Sequence, residues 1–324
     1  MSHNSDDLVS VVIPLYNEVE GLPEVHSKLL SVLEDSEYRF EVVYVDDGST
    51  DGSNNVIKNW ATADKRIRLI ALSRNFGKES ALVAGITEAR GNAIIMLDSD
   101  GQHPVEVIPE FIAAWHNGAQ VVVGISEDKQ WKGPFKRLGS KLFHKVFNKF
   151  AGQTLVPGST DYRLIDAEVR TAFLQLEEKD RITRGLIDWL GFNRSYVKYI
   201  TKERIHGTAT YSRRKLIKLA ANSFVSLTSA PIFIFGYLGV FISIASFLLG
   251  IAILLEQLIL EDPLNWNFTG TAMLGVLIVF LVGIVLMSQG ILSLYISHIH
   301  TQSKERPLYV INRAKSLNLD KHDS

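Results

Sequence analysis

Asp98, Ser99, Asp100, Gly101 and Gln102 stand at the end of the apolar run Ile94-Ile95-Met96-Leu97, and Pro104 closes the stretch. Two carboxylates and a carboxamide are hard oxygen donors of the kind that Mg²⁺ or Mn²⁺ accepts together with phosphate oxygens. Asp98, Asp100 and Gln102 therefore read as a metal–diphosphate site. The other reading is an acidic turn that caps the next helix, and the surrounding chain has to decide between them.

Four apolar residues ahead of a turn suit a buried parallel strand, and Pro104 suits the first turn of a helix, so the acids fall at a strand's carboxyl end. In an open α/β sheet that edge is where ligands bind. The same strand–loop–helix unit precedes it three times. Leu8 to Ile13 is stopped by Pro14 and followed by Tyr16, Asn17, Glu18 and an amphipathic stretch from about Leu22 to Leu33. Phe40 to Val45 runs into Asp46-Asp47-Gly48-Ser49-Thr50-Asp51, and Ile67 to Leu72 runs into Ser73-Arg74-Asn75-Phe76-Gly77-Lys78 and a helix from about Glu79 to Ala89. This alternation predicts an α/β fold with a doubly wound, mostly parallel sheet of the nucleotide-binding kind. No Gly-x-Gly-x-x-Gly follows the first strand and no Gly-x-x-x-x-Gly-Lys-Ser/Thr occurs, so polar strand ends must hold any phosphates. A fifth strand is expected at Gln120 to Gly124, a short strand at Asp161-Tyr162-Arg163 with Asp161 and Arg163 on one face, and a β-like run at Ser195 to Ile200.

Lys and Arg total 34 against 35 Asp and Glu in 324 residues, so no basic excess points to nucleic acid. The charges are segregated, however: from Leu219 to Ser303 there is no Lys or Arg. Within that region about 230–255 and 271–297 are apolar and long enough to span a bilayer, which needs roughly 20 residues per crossing. Cations flank the pair, and Glu256, Glu261 and Asp262 lie between them, so the positive-inside rule sets both termini in the cytoplasm. The expected organisation is a catalytic domain over 1–212, a basic juxtamembrane segment over 213–229, a two-helix transmembrane hairpin over 230–297 and a cytoplasmic tail over 298–324. Phe135 to Phe150 has apolar residues at helical spacing opposite Lys136, Arg137, Lys141, Lys145 and Lys149, which reads either as a helix lying on anionic headgroups or as an ordinary surface helix. The absence of cysteine excludes disulfides and thiolate metal sites. The polar, acidic N-terminus has no secretory signal pattern, and the whole reads as an inner-membrane protein with its catalytic part in the cytoplasm.

Taken together and in this order, Val11 to Glu18, Val45 to Asp51, Ser73 to Lys78, Asp98 to Gln102 and Asp161 to Arg163 resemble the family 2 glycosyltransferases. The subgroup they are most similar to is the polyprenyl-phosphate glycosyltransferases, among them the dolichol-phosphate mannosyltransferases and the bactoprenol glucosyltransferases of O-antigen modification. The resemblance implies that Pro14, Tyr16, Glu18, Asp47, Lys78, Asp98 and Ser99 bind the nucleotide sugar, and that Asp98, Asp100 and Gln102 hold Mg²⁺ or Mn²⁺. It implies that Asp161 and Asp100 are catalytic and that Arg163 and Arg204 bind phosphate. Relatives carry Ser/Thr-Lys-Tyr where this chain has Ala209-Thr210-Tyr211, which leaves Arg213, Arg214 or Lys215 to replace that lysine.

The activity so implied is inverting transfer of a sugar from a nucleoside-diphosphate sugar, with UDP-glucose expected, to membrane undecaprenyl phosphate for cell-envelope glycan modification. GDP-mannose-dependent transfer to a polyprenyl or dolichyl phosphate is an alternative. A processive synthase would be expected to carry Gln-x-x-Arg-Trp and more spans, and a non-catalytic membrane scaffold would have no need of every acidic position. Partners are thus the nucleotide sugar, the lipid phosphate and the membrane, not nucleic acid, with a homo-oligomer left open.

Overall fold

The computed structural model describes residues 7–127, 158–179, 181–201 and 270–319, with the isolated positions Phe241 and Leu248. The chain divides into two compact units, one holding residues up to Lys145, Gln153–Thr210 and Arg306–Ser324, the other Val146–Gly152 and Tyr211–Glu305.

The first unit is built from strands β1 (Leu8–Leu15), β2 (Arg39–Asp46), β3 (Ile67–Ala71), β4 (Ala93–Met96), β5 (Val121–Ser126), β6 (Ser159–Asp166) and β7 (Arg194–Tyr199). The helices are α1 (Leu22–Glu34), α2 (Ser53–Ala63), α3 (Lys78–Glu88), α4 (Ile108–His116), α5 (Ala167–Leu174) and α6 (Thr183–Trp189), with a 3₁₀ turn at Val105–Val107 ahead of α4. One seven-stranded sheet has the order β3-β2-β1-β4-β6-β5-β7. The first four strands are parallel, as their mostly apolar runs predict, since a strand covered on both faces has no solvent side to alternate with. Pro14 does not stop β1, which continues to Leu15. The pairing with β4 ends at Val12 opposite Met96, so no ladder on that side asks Pro14 for an N–H.

The order past β4 differs from simple succession. β6, not β5, lies beside β4, and it runs antiparallel to both neighbours. Met96 pairs with Arg163; carrying an antiparallel register two residues further sets Asp98 opposite Asp161. Strand order thus joins two acids that lie far apart in the chain.

Apolar side chains pack on both faces of the sheet, with Trp115, Phe111 and Tyr162 on one and Phe173, Ile86 and Ile187 on the other. α3 sits close on the second face: a Cβ at Gly85 would lie 2.2 Å from Val12 Cγ1 and 2.9 Å from Val45 Cγ2, so only glycine permits this approach. The helix that begins with Lys78 is thereby held at a fixed height over β1 and β2.

The chain returns to this unit after its last helix. Leu317 exchanges backbone hydrogen bonds with Leu69, at 3.1 and 2.9 Å, Ser73 N–H donates to Val310 and Asn312 N–H to Ala71. Leu308, Tyr309 and Ile311 pack on the α3 face. Arg306–Leu319, within the expected tail, covers the outer edge of β3, which would otherwise present unpaired donors and acceptors.

In the second unit the described part is α7 (Gly270–Ser303), a single helix of 34 residues. Among the described residues no helix is long and apolar enough to cross a membrane. α7 meets the length requirement of about 20 residues on its own, but part of its side-chain complement lies outside that description. So does the expected first span, apart from Phe241 and Leu248, and the basic stretch Phe135 to Phe150 lies outside it entirely.

Candidate active site

The loops after β3 and β4, the start of β6 and helix α6 bring together one group of charged side chains. Lys78 opens α3 and its ammonium lies 2.7 Å from Asp98 and 3.1 Å from Asp161. Burial alone would lower the Lys78 pKa, but the two carboxylates overcome this and hold it above its ordinary value, so Lys78 is a fixed cation. Desolvation pushes Asp161 up, and Lys78 and Arg184 more than offset it, leaving the Asp161 carboxyl below the usual range and ionised at neutral pH. Arg184, on α6, approaches the other Asp161 oxygen at 3.8 Å.

The turn after β4 is held by its own backbone and by an aromatic stack. Gln102 N–H donates to Asp100 at 3.1 Å, which curls Asp100-Gly101-Gln102 into a tight turn with Gly101 at φ 73°. Asp98 N–H donates to His103 Nδ1 at 3.3 Å. The His103 ring stacks on Tyr162 at 4.9 Å between centroids, and the Tyr162 hydroxyl donates to the Pro104 carbonyl at 3.1 Å. Burial lowers the His103 pKa, so the imidazole is neutral and acts as an acceptor toward Asp98. Tyr199 packs edge-on against both rings, with its hydroxyl pushed up to about 12 by burial and donating to Thr160.

The loops after β1 and β2 are stitched together. Asn17, at φ 57°, takes a hydrogen bond on its side-chain oxygen from Thr50 N–H, and its own N–H donates to Ser49. Glu18 N–H donates to Ser53 and Val19 N–H to Asp51. This fixes the ledge that carries Pro14, Tyr16 and Glu18, with Tyr16 44% exposed and open to a flat ligand. Asp47, expected in the nucleotide pocket, is buried, and its two oxygens accept from Phe76 N–H at 2.7 Å and Gly77 N–H at 2.8 Å. Its contacts are spent on the loop that delivers Lys78. Burial raises its pKa against the lowering effect of those two N–H groups.

Arg163 is likewise not where the motif suggests. Its side chain is 1% exposed; Nη1 and Nη2 clamp Asp188 at 2.8 and 3.2 Å, Nε donates to the Thr160 carbonyl and Nη1 also to that of Arg184. A guanidinium used in this way braces α6 against β6 and has little left for a phosphate. Arg204, Arg213, Arg214 and Lys215 lie outside the described residues. Sequence reasoning passed over His103, Asp188, Tyr199 and Arg184. His103 lies in sequence between Gln102 and Pro104, and Arg184 and Asp188 show an i,i+4 spacing that signals a shared helix face and nothing more.

Among the described residues no three His, Cys, Asp or Glu gather into a ready-made metal cage. A divalent ion held by one or two carboxylates and completed by substrate phosphates needs no such cage, and Asp98, Asp100 and Gln102 at a strand's carboxyl end fit that demand.

The family model for glycosyl transferase family 2 matches residues 10–171. The chain belongs to this family. That match covers most of β1, the elements through β6 and the start of α5, including the polar loops after β1, β2, β3 and β4 and the Asp161–Arg163 segment of β6. The chain is 34% identical over 307 residues to a bactoprenol glucosyl transferase of Shigella phage SfV, covering 95% of this chain and 99% of that protein. It is 33% identical over 307 residues to a prophage bactoprenol glucosyl transferase homolog of Escherichia coli, with the same coverage. Among solved structures, glucosyl-3-phosphoglycerate synthase from Mycobacterium tuberculosis with Mn²⁺, UDP-glucose and phosphoglyceric acid is similar at 19% identity and a TM-score of 0.45, over 68% of this chain and 78% of that one. The protein is thus a glycosyltransferase enzyme.

Proposed function

We propose that this glycosyltransferase moves glucose from UDP-glucose to the phosphate of undecaprenyl phosphate, with inversion at the anomeric carbon. The observation that carries the reading is the Asp98–Lys78–Asp161 bridge, which joins the expected metal ligands to the acid of the expected reacting centre. The choice of sugar and lipid rests on relatives that bear the bactoprenol glucosyl transferase name over nearly their whole length.

In the proposed reaction an oxygen of the acceptor phosphate forms a bond to the sugar's anomeric carbon while the bond from that carbon to the diphosphate breaks, and UDP leaves with the electron pair. Mg²⁺ or Mn²⁺, held by Asp98, Asp100 and Gln102, would supply charge neutralisation for the leaving diphosphate. Lys78 adds a preorganised positive charge on the same side. Tyr16 and Glu18 stand on the ledge for the nucleotide. Asp161, kept ionised by its cationic neighbours, is a weak base. The chemistry tolerates this, because a phosphate monoester has its second pKa near about 6 and arrives largely deprotonated. Asp161 orients the acceptor or takes a residual proton.

An inner-membrane location with a spanning hairpin is part of the proposal. Leu274, Leu277, Ile278, Leu281, Val282 and Val285 of α7 are exposed, an apolar surface that water disfavours and lipid accepts. The chain on both sides of residues 211–305 belongs to one compact unit, so if α7 crosses the bilayer, a second crossing must lie between residues 211 and 269 to bring Arg306 back to the side it left. Reporters at Ser5 and Ser324 should register cytoplasm and one near Asn265 the opposite side; cytoplasm at Asn265 refutes the hairpin. The activity is tested by offering radiolabelled UDP-glucose, GDP-mannose and other nucleotide sugars with undecaprenyl or dolichyl phosphate and extracting the product into organic solvent. Label from UDP-glucose on undecaprenyl phosphate supports the reading, and selective use of another pair replaces it.

A further inference from the structure

We propose that Arg184 is the residue that receives the acceptor's phosphate. The inference deepens the reading above and rests on it for the acceptor's class.

Asp161 divides its two oxygens between two cations. Oδ2 faces Lys78, which in turn holds Asp98 and so belongs to the donor and metal side. Oδ1 faces Arg184, at 3.8 Å, on the other side of the carboxylate. An anionic phosphate that must approach the anomeric carbon beside an ionised Asp161 is repelled unless a cation lies between them, and Arg184 stands there.

Among the described residues, other cations of this region are committed elsewhere. Arg163 is clamped on Asp188, which also takes Arg194 at 3.3 Å. The Arg181 guanidinium donates to the carbonyls of Glu178 and Leu176, and Lys198 pairs with Glu127 at 3.1 Å. The Arg184 side chain is 49% exposed, and its ion pair with Asp161 is longer than a hydrogen bond, so its planar fork of donors is available to phosphate oxygens.

Its backbone, in contrast, is fixed from both sides. Thr183 donates through N–H and Oγ1 to Glu79, the residue after Lys78, at 2.9 and 2.6 Å. Arg163 Nη1 donates to the Arg184 carbonyl at 3.2 Å. The two cations that flank Asp161 are therefore positioned by one connected set of contacts, with Arg163 as a positioning residue that never touches substrate and Arg184 as the one that does.

The test uses the full chain in detergent and two binding measurements with a functional one. Farnesyl phosphate probes the acceptor site, UDP with Mn²⁺ probes the donor site, and steady-state transfer separates KM for each substrate. Arg184→Ala should lose about 10- to 100-fold in farnesyl phosphate affinity, the loss of one or two charge-assisted bonds, and raise acceptor KM in parallel. UDP affinity should stay within about twofold, and Arg184→Lys should recover part of the loss because it keeps the charge without the fork. Should Arg184→Ala prove unfolded by its melting curve, Arg184→Gln takes its place with the same expectation. Unchanged farnesyl phosphate affinity, or an equal loss of UDP affinity, overturns the assignment while leaving the acceptor class standing. Wild-type protein that binds no farnesyl phosphate overturns the acceptor class and the assignment together.

Discussion

The sheet carries a charged cluster at each end, and the two differ in what surrounds them. At the amino end of the strands Arg68 and Glu41 pair at 3.2 Å with side chains only 1% and 6% exposed. The Ser10 hydroxyl and Arg90 N–H donate to Glu41, while Arg68 also donates to the carbonyls of Glu88 and Asn318. At the carboxyl end Lys78 and Asp98 pair at 2.7 Å with 41% and 25% exposed. The first cluster is closed to solvent, with Arg68 Nη2 facing Glu88 at 3.8 Å. It ties α3 and the returning tail to the sheet. The second is open on one side, and its partners can be exchanged for those of a ligand. Residue types alone do not separate them, since both consist of acids and bases brought together from neighbouring elements; solvent access does.

The comparison breaks most sharply through Arg68→Ala. Removing one partner of a buried pair leaves an uncompensated charge, and a loss of about 3–5 kcal/mol in unfolding free energy is expected, read by denaturant titration, with activity per folded molecule retained. Asp100→Asn should do the reverse: a fall of about 10²–10³-fold in turnover, the usual scale for one preorganised electrostatic group, with the melting temperature unchanged. An equal loss of stability would move Asp100 into the structural class. Gln102→Ala should be milder, because a neutral ligand holds a cation less firmly than a carboxylate, and should show as weaker Mn²⁺ dependence of transfer.

Acidity sharpens the contrast within the open cluster. The Asp161 pKa is depressed in the folded protein, so the stability it contributes is present above its unfolded value and is lost only as pH falls through the lower folded value. Transfer to farnesyl phosphate should decline much earlier, near about pH 6, where the acceptor's second ionisation lies. A pH–rate profile flat down to the carboxylate range would contradict an acceptor that reacts mainly in its doubly ionised form.

Much of this was legible in the residues, and the exceptions have physical causes. The four parallel strands are readable because a strand buried on both faces is mostly apolar, and Asp98 stands just past the buried run of β4. Leu8 to Ile13 was read short by two residues because a proline normally breaks a ladder, which here had already ended on one side. The insertion of β6 between β4 and β5 was not legible, since periodicity reports a strand and not its neighbours. The same limit hid the roles of Arg163 and Asp47. Motif position put both at the ligand, but Asp188 and the Phe76 and Gly77 amides, contributed from elsewhere in the chain, claim their polar atoms. The tail's return to β3 left no pattern either, because it rests on separate backbone bonds at Val310, Asn312 and Leu317 and not on a strand-length run.

The central claim is that Asp161 and the Asp98 turn form one reacting centre joined by Lys78. A single-turnover experiment with Asp161→Asn, preloaded with radiolabelled UDP-glucose and Mn²⁺ and mixed with undecaprenyl phosphate, tests it most directly. The account predicts donor binding equal to wild type and a transfer step slowed by at least about 10²-fold, the scale of one positioned acid–base or electrostatic group. Transfer at the wild-type rate from the same bound donor would contradict it.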